Sequence, residues 1–179
     1  MTRSISPSMA PVLERLELER PEVVTTAVLS EILLEAGLAT PARVVAARLR
    51  ESGWFLATGQ RGAWEFVPAE AAGPYSRHDP VMPLKAFLAA HPKVSVALTF
   101  QAGVWAHGLA DRVPGCLEVA VPDGSVSRRL PVSLAPFAFA AELAAVKLRG
   151  VPVLTVESIF THMAARPDAV RSWASAFEW

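Results

Sequence analysis

A single cysteine stands in the 179 residues. With Cys116 alone, an internal disulfide framework and a cysteine-rich zinc site are excluded. Net charge is missing too, because seventeen basic and seventeen acidic side chains cancel. No global field draws the chain to nucleic acid or anionic lipid, so any nucleic-acid contact must come from a local patch. Long apolar runs are also lacking. The weakly charged stretch 94–110 is interrupted by Gln101 and His107 and falls short of a membrane span. Residues 1–20 carry Arg3, Glu14, Arg15, Glu17, Glu19 and Arg20, so no signal-peptide apolar core is present there. Phosphate-loop glycines and a nucleophile elbow are absent. His78-Asp79 has no second pair at metal spacing. These absences predict a soluble, cytoplasmic protein with no cofactor, no metal and no membrane partner.

Apolar residues make up 52% of the chain, enough for a packed core. The length fits one large domain or two small ones. Fourteen arginines against three lysines, with abundant alanine and proline, read as the bias of a GC-rich bacterial genome. Residues 68–83 hold four prolines and one glycine with no sustained apolar period. We read them as a proline-rich linker between 1–67 and 84–179. No internal repeat appears.

The first segment predicts three helices and a hairpin. Ser8 is placed to cap a helix with Met9, Val12, Leu13 and Leu16 on one stripe, ended by Pro21. Thr25 or Thr26 caps a second, burying Val28, Leu29, Ile32 and Leu33, with Gly37 just past its end and Leu38 folding back. Thr40-Pro41 starts a third, running from about 41 to 52 and stopped by Gly53. Residues 54–56 and 63–67 then flank a loop at 58–62, which reads as a β-hairpin. Three helices, a short glycine turn and a two-stranded ribbon form the winged helix-turn-helix pattern.

The second segment predicts a compact mixed α+β unit. Helices are expected over Met82–Ala90, Thr99–Leu109 and from Thr155 to Ala165. Asp168 is expected to cap a last helix to Trp179. Strands are expected over Leu117–Val121, in parts of Leu130–Phe139 and over Val151–Leu154.

Arg43, Ala47 and Arg50 stand at i, i+4 and i+7 of the third helix and share one face. Val45, Leu49 and Ser52 lie on the other side and should pack on the second helix. Ala46 and Ala47 are expected to keep the exposed face slim, so that backbone can approach a groove wall. Arg61 stands at the hairpin tip between Gly59 and Gly62. Across 40–64, Arg43, Arg48, Arg50 and Arg61 face Glu51 alone, which focuses positive charge where phosphate neutralisation needs it. Thr40, Arg43, Ala47, Arg50 and Arg61 are therefore the candidate DNA-contacting residues. The alternatives are a solvated helix face with an ordinary loop tip, or a winged helix that docks on protein. In the second segment, His107, Asp111 and Arg112 stand near a helix end. They offer an acid/base or phosphate site, or simply caps and ion pairs. We read the second, and no catalytic residue. His91 and His162 have no obvious partners, and core packing explains most of the five scattered tryptophans better than base stacking.

Four stretches resemble AbiEi-type antitoxins of type IV toxin–antitoxin systems, particularly the actinobacterial branch: 40–45 (TPARVV), 61–68 (RGAWEFVP), 105–112 (WAHGLADR) and 150–157 (GVPVLTVE). The resemblance spans about residue 20 to the end. It implies an N-terminal winged helix that binds and represses its own operon's promoter, and a C-terminal antitoxin domain that neutralises an AbiEii-type nucleotidyltransferase toxin. Type IV antitoxins are described as acting without a stable toxin complex. Members often continue past the point equivalent to Trp179. One winged helix covers a half-site, so two copies on an inverted repeat, associating at least on the DNA, are expected. Residues 1–67 should hold the main DNA-reading surface, with Arg128 and Arg129 adding at most weak phosphate contact.

Overall fold

The computed structural model describes residues 7–71, 79–122, 124–139 and 143–170. Its architecture is mixed α+β with two sheets. The first half runs α1 (Ala10–Glu19), β1 (Val23–Thr25), α2 (Thr26–Glu35), α3 (Ala42–Glu51), β2 (Phe55–Ala57) and β3 (Ala63–Phe66). Met9, Val12, Leu13 and Leu16, the predicted stripe, are all buried. They join Leu29, Ile32, Leu33, Val45, Leu49, Phe55 and Phe66 in one apolar cluster. Fully burying each such side chain is worth about 1.5–3 kcal/mol.

Two helix starts differ from expectation. A 3-10 turn over Pro7–Met9 precedes α1, whose cap position falls to Met9 with no side-chain cap bond. Pro41, not Thr40, holds the cap position of α3, again without a side-chain bond. Proline's fixed φ already suits the entry to a helix, and the Pro41 carbonyl accepts from the Val44 amide at 2.9 Å.

The sheet order is β1-β3-β2, both pairs antiparallel. The hairpin is as predicted, whereas β1 is an addition. Aromatic pairs hold the ribbon: Phe55 stacks on Trp64 at 5.8 Å and Trp54 on Phe66 at 6.4 Å.

The second half runs α4 (Met82–Ala90), β4 (Ala97–Leu98), α5 (Phe100–Ala106), β5 (Leu117–Val121), α6 (Gly124–Ser127), β6 (Leu134–Ala138), β7 (Ala145–Leu148), β8 (Val151–Leu154) and α7 (Val156–Ala165). Its sheet has the order β6-β5-β4-β8-β7, with β5–β6 and β4–β8 parallel and the other pairs antiparallel. The central strands are covered on both faces. Leu98, Val119 and Val153 enter one cluster, and their neighbours Ala97 and Leu154 enter another with Ile159 and Met163 of α7. Thr155 caps α7 as expected, its hydroxyl accepting from the Ser158 amide at 3.3 Å. The helix predicted over Thr99–Leu109 is shorter, and of residues 130–139 only Leu134–Ala138 form a strand, β6. Asp168 lies in a 3-10 turn, Pro167–Ala169, and residues 171–179 of the expected last helix lie outside the described residues.

The segment read as a linker holds a 3-10 turn, Ala69–Ala71, and the start of α4, while 72–78 lie outside the described residues. Helix α4 packs against both β1 and β3. Lys85 on α4 pairs with Glu22 of the first half and with Asp79, each at 2.8 Å. Burial opposes its charge, but the hydrogen bonds to Asp79 and Glu22 outweigh that and raise its pKa above the usual range. Arg20 grips Glu70 with two hydrogen bonds, at 2.7 and 3.0 Å.

Candidate nucleic-acid interface

The turn between α2 and α3 is set by backbone geometry. Gly37 takes φ +69, and its amide donates to the Leu34 carbonyl at 3.0 Å. The Leu38 amide donates to Leu33 at 2.9 Å, and the Leu38 side chain folds back on the core. Such a Schellman closure needs a residue at ease with positive φ. The same pair of bonds recurs at the end of α3, from Gly53 to Arg50 and from Trp54 to Leu49. Helix α3 is therefore fixed at both ends by its sequence.

Its inner stripe is Ala42, Val45, Ala46 and Leu49, all buried. This corrects the reading of Ala46 as part of the slim outer face. Residue 46 stands at i+4 from Ala42 and one turn before Leu49, so it belongs to the inner stripe. Its small side chain allows close packing, with α3 set against α2 and β2. Arg43, Ala47 and Arg50 are exposed as predicted, together with Val44 and Arg48. Arg48 and Arg50 stand in the last turn, where the helix dipole favours positive charge. Thr40 is half-buried before the helix.

The hairpin loop is built as tightly. The buried Thr58 hydroxyl donates to the Ala63 carbonyl at 2.9 Å and accepts from the Gln60 amide at 3.3 Å. Both the amide and the hydroxyl of Thr26 donate to the Gly62 carbonyl, at 2.8 and 3.1 Å. A Cβ on Gly62 would stand 3.0 Å from that hydroxyl, so a side chain there would be crowded as well as strained by φ +76. Arg61 stays exposed at the tip. Among the described residues, none of Arg43, Arg48, Arg50 and Arg61 forms an ion pair, whereas Arg15, Arg20 and Arg166 each pair with a carboxylate. Four unneutralised guanidinium groups on one helix and one loop tip are suited to phosphate and to base edges.

Of the other sequence candidates, His107, His162 and His91 are tied into the fold. His107 Nε2 lies 2.8 Å from the Leu154 carbonyl, which ties α5 to β8. Asp111 and Arg112 are exposed. His162, which showed no partner in the sequence, is fully buried on α7, with Nδ1 2.9 Å from the Thr99 hydroxyl and its ring against Phe100 and Phe139. Burial, with Arg166 nearby, lowers its pKa to about 4. His91 stands 3.4 Å from Gln60 of the hairpin loop, a contact that no local pattern announces. His78 lies outside the described residues. No group of metal-ligating side chains is found among the described residues, and no helix there is long and apolar enough to cross a membrane.

The second-half sheet and α7 bear on family. Residues 95–178 match the AbiEi antitoxin C-terminal domain. The chain carries an AbiEi-type antitoxin domain. That domain takes in β4 through α7, the part built around the five-stranded sheet. Over 97% of its length the chain also superposes on the crystal structure of the RV2827C protein from Mycobacterium tuberculosis, with a TM-score of 0.78 and 26% sequence identity. It spans 65% of that mycobacterial chain. No curated protein matches.

Proposed function

We propose that this antitoxin binds its own promoter DNA through a winged helix-turn-helix in the first half, represses its operon and neutralises a nucleotidyltransferase toxin of the AbiEii type. The observation that carries the DNA-binding part is the unpaired arginine face of α3 beside the Arg61 loop tip, on elements locked in place by the two Schellman closures and the Thr26–Gly62 bonds. In this reading α3 enters the major groove, with Arg43 and Arg50 at base edges or phosphates and Ala47 allowing close approach. Thr40 meets the backbone at the helix entry. Arg61 contacts backbone or minor groove. The antitoxin role rests on the domain at 95–178. No residue is given a catalytic role.

A gel shift on the DNA upstream of the operon tests the helix assignment. Replacing Arg43 or Arg50 with Ala should cost roughly 1–3 kcal/mol if the side chain reads a base. Unchanged binding in the double variant overturns it. A chain that binds no duplex at low salt yet co-purifies with the toxin supports protein docking instead.

A further inference from the structure

The wing loop does not stand alone. Its tip meets two turns of the second half. A Cβ on Gly59 would lie 3.5 Å from the Pro131 Cβ, and Gln60 Nε2 lies 3.4 Å from His91 Nε2. Pro131 follows Arg128 and Arg129 by two or three residues, and His91 precedes Lys93 by two. All three cations are exposed. No carboxylate among the described residues forms an ion pair with Arg128, Arg129 or Lys93, whereas Lys85, the cation facing inward at this junction, is held by two. The turn that carries Arg129 is fixed, its amide donating to the Val126 carbonyl at 3.0 Å and Pro131 being buried.

Chain geometry bounds the distance. Arg61 is two residues from Gly59, and Arg129 is two residues from Pro131. Their Cα atoms are thus no more than roughly 22 Å apart, since consecutive Cα atoms are about 3.8 Å apart. That distance corresponds to about six phosphates along one strand of a duplex.

We propose that Arg128, Arg129 and Lys93 continue the phosphate-binding surface of the wing, so that a duplex held at Arg61 also lies on the antitoxin domain. This rests on the DNA-binding reading above and extends it. Sequence alone gave these residues at most weak contact, because nothing in it places residue 131 beside residue 59. The wing and the 128–131 turn form one charged ridge. Its contacts are to phosphate, so it contributes affinity and register without choosing sequence.

The test uses the intact chain and the double variant Arg128→Ala/Arg129→Ala. Each is titrated onto a duplex from the chain's own upstream region, and onto an unrelated duplex of equal length, across a range of salt concentrations. The expected result is an equal fractional loss of affinity for both duplexes. The slope of log K against log salt should shrink by about 1.8, two phosphate contacts' worth. Arg128→Glu/Arg129→Glu should lose more, with an unchanged melting temperature showing that the fold is intact. Unchanged affinity and slope in both variants overturn the proposal. If Arg43→Ala/Arg50→Ala still abolishes binding in that case, the DNA-binding reading stands without it. A loss confined to the upstream duplex also overturns it, because phosphate contacts do not distinguish sequences. An intact chain that binds neither duplex at low salt overturns both.

Discussion

His162 shows how far a single residue can depart from what its neighbours in sequence announce. Its hydrogen-bond partner, Thr99, is 63 residues away, and the rings that cover it come from α5 and from the segment after β6. No local spacing carries that information. The arginines of α3 are the opposite case, since helical period alone decides which of them face outward. The misplacement of Ala46 came from grouping it with its neighbour and not with its stripe. Burial gives His162 a consequence for pH. Unfolded, it takes up a proton near pH 6.5, whereas in the fold it stays neutral down to about 4. Falling pH therefore favours the unfolded chain between those values, with a loss of up to about 3 kcal/mol that is absent above pH 7. Thermal melts should show the intact chain losing more stability from pH 7 to pH 5 than His162→Gln does. Equal losses would remove His162 as the cause. At the wing tip, Arg61→Ala should weaken specific and unrelated duplexes alike, which a paired titration would show.

At the scale of elements, the parts that were legible have chemistry at their ends. Thr25 and Thr155 cap, and Gly37 and Gly53 close helices, so α2, α3 and α7 were placed within a residue or two. The missed strands β1, β4 and β7 have two to four residues each, too short for a period. β1 and β4 exist because distant partners pair with them: β1 with β3, some forty residues on, and β4 with β5 and β8. One of the three left a sign. Arg149 and Gly150 both take positive φ between β7 and β8, the two-residue hairpin turn that a glycine at its second position favours. The closures predict measurable costs. Thr155→Ala should destabilise the chain by about 1 kcal/mol. Gly37→Ala has open space for its methyl but a backbone at φ +69, so a loss of about 1 kcal/mol or more is expected. Denaturant titration measures both. Gly37→Ala should also weaken duplex binding, because the turn aims α3.

Across the whole molecule, the halves are joined more closely than a spacer of prolines implies. Helix α4 lies on β1 and β3, Lys85 reaches Glu22, and the hairpin loop sets Gln60 3.4 Å from His91 and Gly59 close to Pro131. A cut between residues 83 and 84 falls inside α4. The division of labour is therefore better tested with substitutions in the intact chain. Arg43→Ala/Arg50→Ala should abolish repression of a promoter reporter while the chain still protects cells from the toxin. Simultaneous loss of both would mean that the two roles share one surface. The most direct measurement is a hydroxyl-radical footprint of the intact chain on the DNA upstream of its operon. The expected pattern is two protected half-sites related by an inverted repeat. Their centres should lie one helical turn, about 34–36 Å, or a multiple of it apart. Uniform cleavage at low salt, with the chain folded and in excess, would contradict DNA reading by α3 and the wing.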